Sequence, residues 1–240
     1  MKGVVLAGGL GSRLAPLTNV TNKHLLPVYD RPMIFYPIET LVRAGIKEVL
    51  IVVSGLYAGD FIRILKNGTE LGLKKLEYAY QEKPDGGIAD ALALAESFTN
   101  HQDTAVILGD NTMDSDISRQ VKNFGGGAHL FLKEVPDPKR FGVAKFNEAK
   151  EITEIIEKPN NPPSNFAVTG LYLYDDKVFE YVKQCTPSKR NELEITDVNN
   201  FYIQNKTVNW SHLKGFWQDA GTIENLYLAN KYWYEKSKEI

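Results

Sequence analysis

Residues 6–23 read LAGGLGSRLAPLTNVTNK, with glycines at 8, 9 and 11, a hydroxyl at Ser12, and then Arg13 and Lys23. The apolar run Lys2-Gly3-Val4-Val5-Leu6 ahead of it reads as a first strand. A strand that empties into Gly8, Gly9 and Gly11 can bring bare backbone N–H groups close to a polyphosphate, because glycine accepts the turn and places no side chain in the way. Arg13 and Lys23 supply fixed positive charge, so the chemistry indicated is phosphate handling. The glycines alone would also serve a plain strand-to-helix turn. Two common phosphate loops are excluded by spacing. No Gly-Lys-Ser/Thr occurs, so there is no P-loop. Gly9 and Gly11 begin a G-x-G-x-x-G pattern, but Leu14 stands where the third glycine belongs.

A second candidate is Asp110, which follows the apolar run Thr104–Gly109. Ligands of open α/β sheets bind beyond the carboxyl ends of the strands. An Asp placed there is a hard-oxygen ligand suited to Mg²⁺, or alternatively a loop cap. The four histidines (24, 101, 129 and 212) show no ligand spacing with Cys185, which argues against zinc. No Ser-His-Asp pattern is apparent.

These residues must be carried by a scaffold, and the first half of the chain alternates strand and helix. Strands are expected over Gly3–Ala7, Glu48–Ser54, Leu73–Gln81 and Thr104–Gly109. Helices are expected over Met33–Ala44, Ala58–Lys66 and Ile88–Phe98. The runs Val49–Val53 and Ala105–Leu108 are apolar on both faces, as buried parallel strands are. The alternation argues for a doubly wound α/β fold. In the second half, strands are expected over Ala128–Val135, Gly142–Phe146, Ile152–Ile156, Val168–Tyr174, Thr207–Leu213 and Gly215–Gln218. Helices are expected over Asp175–Lys183, Glu194–Ile203 and Glu224–Lys236. No repeat or low-complexity linker divides the chain. It reads as one domain over 1–240, in two halves that divide at about 125–126.

The bulk numbers fit that reading. The 240 residues are 43% hydrophobic and 24% charged, an ordinary globular composition. A net charge of −2 gives no general basic surface for nucleic acid, so phosphate binding must come from local clusters. No apolar stretch has the length of a membrane span or resembles a signal peptide's core. The single cysteine, Cys185, cannot form an intrachain disulfide. The expectation is a cytoplasmic protein without membrane contact.

The series Gly8-Gly9-x-Gly11-Ser12-Arg13-Leu14-x-Pro16-x-Thr18, then Lys23 and Leu25-Leu26-Pro27, resembles the sugar-1-phosphate nucleotidyltransferase family. The following Pro27-Val28-Tyr29-Asp30-Arg31-Pro32-Met33-Ile34 resembles its thymidylyl-transferring members. Matching blocks recur to about Gly221, nearly the whole chain. The resemblance implies a Rossmann-like nucleotidyltransferase fold with a mostly parallel mixed sheet, its half to about 125 nucleotide-binding and its half from about 126 sugar-phosphate-binding. It implies transfer of a thymidylyl group from dTTP to α-D-glucose 1-phosphate with Mg²⁺, giving dTDP-glucose and pyrophosphate.

The same resemblance distributes roles. Leu6, Gly8, Gly9, Gly11, Ser12 and Arg13 would hold the nucleotide. Gln81 and Gly87 would meet the base, and a Gln amide can pair with both a donor and an acceptor on a pyrimidine edge. Lys23 would act at the α-phosphate. Trp217-Gln218-Asp219-Ala220-Gly221-Thr222 matches the family's Trp-x-Asp-x-Gly-Thr, which makes Asp219 the metal-binding partner of Asp110; by itself Asp219 could also cap the helix ahead. Gly142, Glu157, Lys158, Val168, Tyr172, Arg190 and Trp217 would form the sugar-phosphate site. Glu157-Lys158-Pro159 alone is a common strand end, but it lies between two matching blocks.

Four departures stand out: Ser12 for the commoner Thr, Asp90 where Gln is more usual, a turn after Gln81 about one residue longer, and Asn191 in place of Gly. The chain also resembles the family's short form, so a regulatory nucleotide site built from further C-terminal helices is not expected. A homo-oligomer is expected by analogy. Alternative readings are a UTP-using or other sugar-1-phosphate transferase, or a non-catalytic sugar-nucleotide sensor. The sensor is disfavoured because Arg13, Lys23, Asp110, Lys158, Arg190 and Asp219 are all present.

Overall fold

In the computed structural model, which describes residues 1–239, β1 (Lys2–Ala7) lies at the centre of a nine-stranded sheet. Its residues alternate between two cores. Val4 and Leu6 face one side, Val5 and Ala7 the other. Two short strands, β2 (Pro27–Val28) and β3 (Arg31–Pro32), pair with each other off the sheet. After α1 (Phe35–Arg43), the strand β4 (Glu48–Ser54) pairs parallel to β1. After α2 (Ala58–Leu65), β5 (Lys75–Gln81) pairs parallel to β4 and forms that edge. The chain then returns through α3 (Ile88–Ala93) and α4 (Glu96–Thr99), and β6 (Thr104–Leu108) joins β1 in parallel on its other side. Strand order therefore reverses at β1. Loops leaving β1 and β6 diverge, and that opens a crevice at the carboxyl ends of the strands.

The second half extends the same sheet, largely by antiparallel pairing. It begins with β7 (Asn111–Met113), α5 (Ser118–Lys122) and β8 (Ala128–Glu134), followed by β9 (Gly142–Phe146) and β10 (Ile152–Glu157). The long strand β11 (Phe166–Tyr174) pairs antiparallel with β6, β8 and β9 and so couples the two halves. Beyond α6 (Val178–Gln184) and α7 (Ile195–Gln204), β12 (Val208–His212) adds to β8 in parallel. Finally β13 (Trp217–Asp219) pairs with β7, and α8 (Ile223–Lys236) closes the described chain.

The expected doubly wound packing follows from the two-faced strands. Ile38 and Leu41 of α1 with Phe61 and Leu65 of α2 cover one face. Leu92 of α3, Val178 and Phe179 of α6, and Ile195 and Val198 of α7 cover the other. Each such side chain, once buried, contributes on the order of 1.5–3 kcal/mol. A third, smaller core joins Leu226 and Ala229 of α8 to Leu14, Leu26, Val28, Met33 and Tyr36. It presses the segment after β1 against the segment after β13.

Some boundaries differ from expectation for identifiable reasons. The helix expected over Ile88–Phe98 is two helices, broken where the Ala95 N–H donates to Leu92 O three residues back. The helix expected from Asp175 starts at Val178, because the Asp175 carboxylate is used elsewhere. It accepts from Gly127 N at 2.8 Å and from Tyr202 Oη at 2.7 Å. The strand expected from Leu73 starts at Lys75, because Leu73 N closes a turn onto Gly68 O and Lys74 N reaches Lys47 O. No helix of the described residues is long and apolar enough to cross a membrane.

Candidate active site

The carboxyl ends of the central strands open into one cleft of about 340 Å³. From β1, Gly8 and Gly9 form its floor. Gly9 N donates to Ser54 Oγ at 3.2 Å, which ties the loop to the end of β4. A Cβ on Gly8 would overlap Gln81 Oε1, so glycine lets the Gln81 amide lie against the loop. Lys23 begins a short 3₁₀ turn, capped where Asn22 Oδ1 accepts from His24 N at 3.0 Å. Its Nζ donates to Asp110 Oδ2 at 2.6 Å.

Asp110 is buried at the end of β6. Burial alone would raise its carboxyl. The Lys23 ammonium, then the hydrogen bonds from Lys23 and Asn111, hold it well below the usual carboxylate range. His24 beside it is neutral: burial, then the Lys23 charge, push it down to about 3.

Asp110 and Asp219, far apart in sequence, meet through the β7–β13 ladder, in which Asp219 pairs with Asn111, the residue after Asp110. Ala220 N also donates to Asp110 O at 2.9 Å. Burial and then the Asp110 charge raise the Asp219 carboxyl. A Cβ built on Gly221 would lie 2.8 Å from Asp219 Oδ1 and 3.4 Å from both Asp110 Oδ2 and an Arg13 Nη. Two carboxylates and a guanidinium thus converge on one point. Asp219 does not cap α8: Thr222 does, its Oγ1 accepting from Asn225 N at 3.3 Å.

The cleft is further lined by Gly142, Glu157, Lys158, Val168, Tyr172, Arg190 and Trp217. Glu157 ends β10 and accepts from Thr196 Oγ1 at 2.6 Å. Lys158 is held at φ +43°, its N–H donating to Phe141 O at 3.0 Å and its Nζ 3.5 Å from Glu157 Oε1. Non-glycine residues in this conformation are strained and concentrate at working sites. Arg190 sits in a cage of carboxylates: Glu194 at 2.8 Å, Glu192 at 3.2 Å and Glu157 at 3.3 Å. Asn191, the residue that replaces Gly, has φ +59°, a conformation Asn tolerates better than most side chains. The departure therefore keeps the backbone shape.

Of the expected site residues, Leu6, Gly8, Gly9, Arg13, Lys23, Gln81, Gly87, Asp110 and Asp219 also line the cleft. Gly11 and Ser12 lie off its wall, where a Cβ on Gly11 would press on Lys23 and Thr18. Gly87 has φ +97°, and a Cβ there would overlap Leu193 O, so it seats the Gln81 turn against the backbone ahead of α7.

The residue readings missed two side chains. Asn111 is the buried hub of the β7–β13 corner: Oδ1 accepts from Trp217 Nε1 at 2.6 Å and Gly170 N at 3.2 Å, while Nδ2 donates to Asp110 Oδ1 at 3.1 Å. Arg140 adds a cation to the cleft wall. Their signals were adjacency, to Asp110 and to Phe141-Gly142.

A fold that splays a glycine-rich loop and paired carboxylates at the switch point of its sheet is that of the nucleotidyl transferases, and the chain belongs to this family: the Nucleotidyl transferase family model matches residues 2–236. Among individual relatives, the chain is 42% identical over 235 residues to the glucose-1-phosphate thymidylyltransferase of Neisseria meningitidis, covering 95% of this chain and 81% of that one. A Bacillus anthracis protein described as a glucose-1-phosphate thymidylyltransferase, solved with a sucrose, superposes with a TM-score of 0.91 at 46% identity, covering 97% of this chain and 94% of that one. A UDP-glucose pyrophosphorylase complexed with UDP-glucose superposes at 0.84 with 25% identity, covering 98% of both chains.

Proposed function

We infer that this chain transfers a thymidylyl group from dTTP to α-D-glucose 1-phosphate, releasing pyrophosphate and forming dTDP-glucose. The observation that carries the reading is the single cleft in which Lys23, Asp110, Asp219 and Arg13 gather above the Gly8–Gly9 floor, together with Glu157, Lys158 and Arg190. An oxygen of the sugar phosphate attacks the α-phosphorus of the nucleotide, and the bond from that phosphorus to the β-phosphate bridge oxygen breaks. The nucleophile needs no general base, since a phosphate monoester with a second pKa of about 6 is already largely dianionic at neutral pH. The barrier is the approach of two anions, so catalysis is positioning and charge neutralisation.

Each residue has a defined task in that reaction. Gly8 and Gly9 admit the triphosphate to the loop, with Gly11 and Ser12 shaping its exit. Arg13 neutralises the departing pyrophosphate. Lys23, fixed by Asp110, reaches the α-phosphate. Lys158 and Arg190 hold the attacking phosphate, and Glu157 takes sugar hydroxyls. Gln81 and Gly87 receive the base.

The donor set also fits a hard divalent cation such as Mg²⁺. A buried carboxylate, Asp110, and a half-buried one, Asp219, share a corner, the first held ionised and the second raised by desolvation and then by its neighbour. Among the described residues no group of three or more His, Cys, Asp or Glu side chains is arranged to hold a metal ion. Asp110 and Asp219 would therefore hold the ion, with the substrates supplying its other oxygens. Once bound, it would draw charge from the phosphoryl oxygens.

The test is pyrophosphate release with glucose 1-phosphate and Mg²⁺, run in parallel with dTTP, UTP, CTP, GTP and ATP. Turnover with dTTP is expected, and weaker turnover with UTP is compatible, because a single methyl discriminates by only about 1–3 kcal/mol. Absence of release with every nucleotide would overturn the reading.

A further inference from the structure

The Gln81 carboxamide is buried at the cleft wall, with its residue 3% exposed. Its Nε2 donates to Asp90 Oδ2 at 2.8 Å and lies 3.4 Å from Gly87 O. Asp90 is in the first turn of α3, and its carboxylate is wedged beneath Gly86, where a Cβ would overlap it. The other end of the amide, Oε1, lies against Gly8 on the phosphate-loop side.

A free carboxamide can turn over, exchanging its donor and its acceptor. Here it cannot do so cheaply. A carboxylate and a carbonyl carry only acceptors, and both face Nε2. Turning Gln81 over would set Oε1 against two oxygens and forfeit the hydrogen bond to a charged group, the stronger kind.

We propose that Asp90 is a positioning residue that locks Gln81 as a hydrogen-bond acceptor toward the nucleobase and thereby selects bases that carry a ring N–H. This inference rests on the nucleotidyl-transfer reading above. Thymine and uracil present N3–H between two carbonyls, and Oε1 completes that bond. Cytosine presents an unprotonated N3 beside its amine, so two lone pairs would meet. Sites that bond a specific polar hydrogen reject analogues lacking it by about 10⁴–10⁵, which leaves ample room for the orientation of one amide to decide. An Asn at position 90 carries both a donor and an acceptor and would stabilise either orientation of Gln81. An Ala would leave only the longer contact to Gly87 O to hold the amide.

The experiment compares kcat/KM for dTTP, UTP and dCTP, with glucose 1-phosphate as acceptor, in the wild type, Asp90→Asn and Asp90→Ala, each checked by thermal melt. The wild type is expected to favour dTTP over dCTP by ~10³ or more, and both variants to lower that ratio at least ~30-fold. UTP should follow dTTP throughout, because both carry N3–H. A dTTP:dCTP ratio that stays constant while all rates fall together would mean a merely structural role and overturn the proposal. So would a wild type indifferent between thymine and cytosine. If one variant melts without a cooperative transition, the ratio in the other decides. A wild type inert with every nucleotide would remove the transferase reading itself, an outcome distinct from an active enzyme with an unchanged ratio.

Discussion

Lys23→Met tests the centre of the site most directly. The Lys23–Asp110 pair is 2.6 Å apart with side chains only 15% and 10% exposed. At an effective dielectric of about 20, that separation gives an attraction of about 6 kcal/mol. Desolvation of the two ions costs several kcal/mol each, so the intact pair adds little net stability. Removing one partner is different, because the buried charge remains: the usual cost is about 3–5 kcal/mol. Asp219 adds a second negative group at the same corner, while proton uptake gives partial relief. We therefore expect a loss of about 3 kcal/mol near neutral pH, or about 6–12 °C in Tm for a chain of this length.

The pH dependence fixes the sign. In the wild type the Asp110 carboxyl is held below its unfolded value, so its contribution is present above that value and goes only as pH falls through the folded one. In the variant, burial without the ammonium raises the same carboxyl above its unfolded value. Its folded state then favours the proton, and stability falls as pH rises. The penalty of the substitution should shrink between about pH 7 and about pH 5. Urea unfolding at both pH values measures it. A variant within about 1 kcal/mol of the wild type near pH 7, or a penalty that grows on acidification, would refute the reasoning.

Three further substitutions probe separate parts of the cleft. Arg13 is exposed, so Arg13→Ala should leave the melt unchanged while pyrophosphate release falls by ~10²–10³; near-normal turnover would remove Arg13 from the mechanism. Asn111→Ala orphans the Trp217 indole N–H and the Gly170 N–H, and should cost about 2–6 kcal/mol in urea unfolding at about 1–3 kcal/mol per buried group. Asn191→Gly should leave stability within about 1 kcal/mol and turnover intact, because the position already holds a left-handed backbone; a large loss of activity would mean the side chain itself acts.

The parts of the fold legible in the sequence were those where burial on both faces leaves a continuous apolar run. Glu48–Ser54 forms a strand over the residues expected, and the strand expected over Thr104–Gly109 runs from Thr104 to Leu108. The β7 and β13 strands were harder to read, since each has three residues and no apolar alternation, and their pairing is decided more than 100 residues apart. That pairing is what brings Asp110 and Asp219 together, so only the family resemblance could suggest it. Local motifs carried the glycine loop and Lys23. The carboxylate cage around Arg190 and the Asn111 hub depend on distant side chains meeting, which no spacing encodes. Asp90 is an intermediate case: its departure from the usual residue was visible, but its meaning required the Gln81 distance.

The cage around Arg190 bears on how the cleft tells its ligand from the inorganic anions of its surroundings. A guanidinium already matched by Glu157, Glu192 and Glu194 gains little from a lone phosphate or sulfate, since the newcomer must evict carboxylates that then lose their own partners. In the proposed reaction, a molecule bearing both a phosphate and hydroxyl groups would make a complete exchange: the phosphate would take the arginine while the hydroxyls donate to the released Glu157. The arrangement would then act as a coincidence gate, opened by two chemical features presented together and closed to either alone.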